Sequence, residues 1–141
     1  MVIKQLSVFL ENRSGRLNEV FGILGDANIN VSACSLADSS EFGILRMIVS
    51  EPEKAWSVLK EHNFSVNMNE VVSFATPNTP GALSKTLEIL SDADIDIEYL
   101  YGFSPGDKSF IVLRCDNIEK ALSEFQKHEL KLISASELYK F

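Results

Sequence analysis

ENRSGRLNEVFGILGDANINV (Glu11–Val31) and PNTPGALSKTLEILSDADIDI (Pro77–Ile97) decide how this chain is read, because they are one pattern written twice. In each, a polar turn with a glycine leads into an apolar stretch of helical period. That stretch gives way to alternation at Asn-Ile-Asn or Asp-Ile-Asp. Gly15 and Gly81 stand 66 residues apart. The same offset joins Leu17 to Leu83, Ile23–Leu24 to Ile89–Leu90, Asp26–Ala27 to Asp92–Ala93, and Ile29 to Ile95. It continues from Glu53–Lys54–Ala55 to Glu119–Lys120–Ala121 and from His62 to His128, without a gap. Identities that also keep the apolar positions in register mark an internal repeat. The chain therefore reads as two modules, 1–69 and 70–141, with no Gly/Ser-rich linker between them.

Each module parses alike. IKQLSVFL and EVVSFA are the first strands. Leu17, Val20, Phe21 and Leu24 recur at i, i+3, i+4 and i+7, which is one face of a helix. Leu83, Thr86, Leu87 and Leu90 repeat that face with one polar member. NINVSACSL and IDIEYLYGF are second strands, with Ile95, Ile97, Tyr99 and Tyr101 on one side of a period-two ribbon. ADSSEFG and SPGDK lead to third strands at Ile44–Val49 and Phe110–Cys115. Second helices follow near Glu53–His62 and Glu119–His128, with Ala55, Val58 and Leu59 inward and Pro52 suited to a first turn. FSV and LKLI close the copies as short strands. The order βαββαβ predicts an α+β fold: two ferredoxin-like modules, each an antiparallel sheet with both helices on one face. Modules of this size bury little surface and leave strand edges open, so the two are expected to pair side by side.

Composition narrows the function. The chain has 141 residues, 45% apolar and 23% charged, with a formal net charge of −7. That balance disfavours nucleic acid, which asks for a basic face, and an anionic membrane. No stretch nears the roughly 20 apolar residues of a membrane helix, and the start reads as no signal peptide. Cys34 and Cys115 form no C-x-x-C pair and read as two buried thiols of a cytoplasmic protein.

The recurring turn, Asn12-x-x-Gly15-x-Leu17 and Asn78-x-x-Gly81-x-Leu83, sits where a helix leaves backbone N–H groups unpaired and partly positive. Such an end takes an anion. Glycine lets a ligand approach the backbone, and asparagine brings both a donor and an acceptor. A carboxylate on the N–H groups and an ammonium on a side-chain carbonyl would fit an α-amino acid. Asparagine and glycine equally serve any tight turn, and Asn12 can simply cap its helix.

At these residues the chain resembles a tandem ACT-domain protein, a family of small amino-acid-binding regulatory modules. NRSGRLNEVFGILGDANINV and NTPGALSKTLEILSDADIDI carry the likeness, and EKAWSVLKEHNFSV and EKALSEFQKHELKL extend it through the second helix. The resemblance implies modules joined into a continuous sheet with an effector amino acid at the seam. There it would lie between the turn of one module and the start of strand two in its neighbour. Carried over, the turn gives Asn12, Gly15, Arg16 and Leu17, then Asn78, Gly81, Ala82 and Leu83. The strand-two position gives Asn30 and Asp96. An ionised Asp96 cannot donate as an amide does. It either meets a cationic group or marks a degenerate site, so the first copy is the more complete. The resemblance further implies a regulatory, allosteric protein without cofactor, a homodimer, and an amino-acid-metabolic enzyme as partner.

Other residues add little. Arg13 and Arg16 flank the first turn, where a guanidinium could grip a carboxylate, but Thr79 and Ala82 replace them in the second copy and a solvated role is the simpler expectation. Tyr99 and Tyr101 read as packing residues, and Trp56 as helix packing. His62 and His128 sit near helix ends, and no Cys/His spacing supports zinc. No G-x-S-x-G, H-E-x-x-H or P-loop pattern appears, so no enzyme is expected. Asp94, Asp96 and Glu98 tilt the expected free amino acid toward a basic side chain. The alternatives are a ligand-independent assembly module, a small ferredoxin-like catalyst, and an RNA binder lacking the usual aromatic motif.

Overall fold

The computed structural model describes residues 2–11, 13–38 and 41–139. Two compact units form. The first holds the described residues of 4–69 with Leu138 and Tyr139; the second holds 70–137 with Val2 and Ile3. The first unit runs β1 (Ile3–Glu11), α1 (Arg16–Asp26), β2 (Val31–Asp38), β3 (Phe42–Val49) and α2 (Pro52–Glu61), then enters β4 (Ser65–Pro77). The second continues from β4 through α3 (Ala82–Asp92), β5 (Ile97–Phe103), β6 (Lys108–Cys115), α4 (Ile118–Lys127) and β7 (Leu132–Ile133). A short helix, α5 (Ala135–Leu138), follows and has no counterpart in the sequence expectation.

Both units are antiparallel. In the first, β3 pairs β1 with Leu6 opposite Met47 and Leu10 opposite Gly43, and pairs β2 with Leu36 opposite Leu45. In the second, β6 pairs β4 with Phe74 opposite Ile111, and β5 with Leu100 opposite Leu113; β7 pairs β4 at Ser73. Ser65–Val66 of FSV and the whole of EVVSFA, expected as separate strands, are parts of β4, a single 13-residue strand. Asn67, Met68 and Asn69 between them contain neither glycine nor proline to turn the chain, and Ser7 Oγ holds Asn69 Oδ1 at 2.7 Å.

Period-two and period-3.6 patterns meet in each core. Leu6, Val8 and Leu10 of β1 and Leu45, Met47 and Val49 of β3 face Val20 and Leu24 of α1 and Ala55 and Leu59 of α2. The second core repeats this with Val72, Phe74, Ile111, Leu113, Leu90, Ala121 and Phe125. Phe74 and Phe125 pack with ring centroids 5.1 Å apart. Each such buried side chain contributes about 1.5–3 kcal/mol, which is what holds units this small together.

Many repeated identities turn out to be devices of the fold. Lys54 reaches from α2 to the Ala27 carbonyl at the end of α1, and Lys120 reaches from α4 to Ala93 at the end of α3. These cations answer carbonyls left free at a helix C-terminus. His62 and His128 donate from Nδ1 to the carbonyls of Val58 and Glu124. Gly15 and Gly81 precede α1 and α3 with φ of 90° and 82°, a region that favours glycine. Pro52 occupies the first turn of α2 as expected.

Two expectations fail. Cys115 is buried but Cys34, on β2, is exposed. Trp56 is 36% exposed: Ala55 and Leu59 take the inward face of α2, and the indole lies outside beneath the Lys60 ammonium, 4.7 Å from its centroid.

Candidate ligand site

The first unit carries a depression of about 330 Å³ at the start of α1. Leu10 and Glu11 come from the end of β1, Arg13, Ser14, Arg16 and Leu17 from the turn and first helical turn, and Leu36 and Gly43 from β2 and β3. The register explains the gathering, since Leu10 lies opposite Gly43 and Leu36 lies opposite Leu45 two residues along β3. Leu17 was expected on the inward helix face; it is 36% exposed because Val20 and Leu24 fill that face.

Arg16 is far from solvated. Its side chain is 15% exposed, with the guanidinium carbon 4.2 Å from the centroid of the Phe64 ring. Nη1 donates to Glu19 at 2.9 Å, Nη2 lies 3.9 Å from Glu11, and Nε is buried without a hydrogen-bond partner. Arg13 is exposed and lies 3.7 Å from the same Glu11. Two guanidinium groups and one carboxylate thus converge on the helix start, where the first-turn amides have no intrahelical acceptors. Sequence alone sets Arg16 beside the turn. Its burial needed Phe64, which arrives from a distant segment and gave no local signal.

The second copy is built differently at the matching place. The Asn78 N–H donates to Asp107 at 2.8 Å, its Nδ2 donates to Gly106 at 3.0 Å, and its Oδ1 accepts from Ser109 at 3.4 Å. Asn78 is therefore bound into the loop between β5 and β6. Gly102 occupies the repeat position of Leu36, and a Cβ there would stand 2.6 Å from the Phe110 carbonyl and 2.7 Å from Ile111 Cδ1. Ile111 fills the space that a side chain at 102 would need. Thr86 is accommodated on the inward face of α3 by donating to the Ala82 carbonyl at 3.3 Å. A depression of about 300 Å³ in this unit is lined by Ala75, Thr76, Pro77, Asp107, Lys108 and Lys131, and by none of Gly81, Ala82 or Leu83.

The remaining predicted positions divide. Asn12 lies outside the described residues. Asn30 follows the C-terminal end of α1, whose 11 residues rise about 16 Å from the turn at its start, so one unit alone does not unite them. Its backbone is fixed from both sides: its N–H donates to Ser50 Oγ at 3.0 Å and its carbonyl accepts from Ser50 N–H at 2.9 Å. Asp96 and Asp116 make the same exchange in the second copy. Glu98 is engaged by Arg114 Nε at 2.8 Å. Among the described residues no group of three or more His, Cys, Asp or Glu is placed to hold a metal ion, and no helix is long and apolar enough to cross a membrane.

Comparison with known proteins matches the whole chain, residues 1–141, to the family described as an ACT domain pair. A crystal structure of protein BT0572 from Bacteroides thetaiotaomicron is similar at 47% identity, with 100% of this chain and 98% of that one covered and a TM-score of 0.96. The regulatory subunit of aspartate kinase from Thermus thermophilus, ligand free, shares the fold at 14% identity, with 90% and 96% covered and a TM-score of 0.65. E. coli aspartokinase III in complex with lysine and aspartate aligns at 19% identity and a TM-score of 0.57, covering 89% of this chain and 30% of that one. No match is found among curated proteins.

Proposed function

Since the chain belongs to the family of ACT domain pairs over its whole length, we propose that it is a non-catalytic, cytoplasmic sensor of a free amino acid. The observation that carries this reading is the convergence of Arg13, Arg16 and Glu11 on the start of α1. A ligand α-carboxylate would lie against the arginines and the first-turn N–H groups, and its ammonium against Glu11. The site residues are Asn12, Gly15, Arg16 and Leu17 of the first domain, taken as 1–69, with Asn30 supplied by a second copy of the chain in the homodimer. Their counterparts Asn78, Gly81, Ala82, Leu83 and Asp96 belong to the second, 70–141. The tie between Asn78 and the 106–109 segment favours the first set as the one that binds.

Fold relatives named as regulatory subunits of aspartate kinase, and one named with bound lysine and aspartate, support the regulatory part of the proposal. Binding would act by preferring one arrangement of domains or of chains in a homodimer, since a ligand shifts an equilibrium only by its differential affinity. The output would be contact with an amino-acid-metabolic enzyme. The acidic run that leaned toward a basic ligand is partly used internally, because Glu98 pairs with Arg114. The proposal therefore rests on the carboxylate and ammonium that all amino acids share.

Thermal unfolding against a panel of free amino acids tests it. Ligand at 100 times its dissociation constant adds about 2.7 kcal/mol and raises the melting temperature visibly. A flat panel sinks the proposal. A second reading, ligand-independent assembly, is favoured by Phe9 and Phe42, 40% and 50% exposed on the sheet face opposite the helices. Self-association unchanged by any amino acid, together with a flat panel, would put that reading first.

A further inference from the structure

Resting on that reading, we infer that the amino acid taken by the first unit carries an uncharged aliphatic side chain. The depression has two unlike walls. Arg13, Arg16 and Glu11 form the polar wall, and Leu10, Leu17 and Leu36 form the other. Leu10 is buried, but Leu17 is 36% and Leu36 50% exposed, so two leucines stand uncovered beside the charged groups. An amino acid whose backbone atoms meet the polar wall extends its side chain along the leucines. An aliphatic chain there removes apolar surface from water. A charged chain in the same place loses hydration and gains no partner.

The charge balance agrees. Arg13 and Arg16 are matched by Glu11 and Glu19, at distances from 2.9 to 3.9 Å. The cluster is neutral as it stands and accepts a neutral zwitterion without a residual charge. An acidic amino acid would add negative charge to a chain of net −7. A basic one would need Glu11 for its side chain as well as for its ammonium. In the second unit, Gly102 replaces Leu36 and Ile111 occupies the adjoining space, so this aliphatic wall belongs to the first unit.

Calorimetric titration of the full chain with glycine, alanine, valine, leucine, lysine and aspartate tests the inference. Leucine or valine is expected to bind at least ~10-fold more tightly than glycine, the scale on which hydrophobic pockets discriminate side chains. It is expected to exceed lysine and aspartate by a similar factor. Lysine or aspartate binding more tightly overturns the aliphatic assignment and leaves the amino-acid reading standing; no binding by any member overturns both. Leu36→Ala, on an exposed edge-strand position, should weaken leucine at least ~10-fold and weaken glycine by a clearly smaller factor. Leu17→Ala should weaken leucine in the same direction, with the unliganded melting temperature of both variants reporting their folding. Leucine affinity unchanged in both folded variants overturns the inference.

Discussion

Gly102→Ala tests whether the second copy is closed where the first is open. The added Cβ would stand 2.6 Å from the Phe110 carbonyl oxygen and 2.7 Å from Ile111 Cδ1. Ile111 could rotate, but the carbonyl is backbone in the strand that pairs β5, where Gly102 lies opposite Ile111. Relief therefore requires β5 and β6 to part locally. Inserting a methyl into a packed region costs about 1–3 kcal/mol. The loss of glycine's freedom in the unfolded chain returns about 0.4–1 kcal/mol. The net expectation is about 1–2 kcal/mol of destabilisation, or roughly 3–8 °C in melting temperature for units of this size. Circular dichroism melts of Gly102→Ala and of Leu36→Ala supply the comparison. The latter, at the repeat position, removes an exposed side chain and should stay within about 0.5 kcal/mol of the parent. Equal or greater stability of Gly102→Ala would refute the close approach and with it the argument that the second copy is filled.

Further outcomes follow from single residues. Arg16→Ala should cost the fold about 1 kcal/mol, by losing the contact over Phe64 and an exposed ion pair, and should weaken ligand binding roughly 10- to 100-fold in calorimetry. Asn117 caps α4 by accepting from Lys120 N–H at 3.0 Å, whereas Glu51 at the repeat position of α2 makes no such bond. Asn117→Ala should therefore destabilise by about 1 kcal/mol and Glu51→Asn should stabilise by several tenths, both read by urea melts. Thiol titration of the native protein should modify Cys34 alone, with Cys115 reacting only on unfolding. Burial is the main cause that raises the Cys115 thiol above its ordinary value. Its neutral form thus favours the fold fully below the unfolded pKa, and that contribution is lost as pH rises through the folded one.

The repeat made most of the fold legible. One offset of 66 residues located both helices of each unit, and the inward positions Val20, Leu24, Ala55 and Leu59 follow from their spacing alone. What was not legible depended on partners far along the chain. Cys34 and Cys115 read alike by residue type, and only the packing around their strands separates them. Trp56 reads as packing by type, and only its neighbours in α2 show that the inward face was already taken. Continuity of β4 was hidden by the expectation that a module should end where its repeat ends. Shared identities such as Lys54 and Lys120 looked like candidates for function and are helix-end devices. The residues that differ between copies, Arg16 against Ala82 and Leu36 against Gly102, carry the distinction between the two turns.

Amino-acid recognition at the start of α1 is tested most directly by titrating the parent chain and Arg16→Ala, side by side, with the amino acid that most raises the melting temperature. The account predicts saturable binding by the parent at one equivalent per chain, and at least ~10-fold weaker binding by the variant, which stays folded at a cost of about 1 kcal/mol. Two equivalents per chain, or equal affinity in a folded Arg16→Ala, would contradict it.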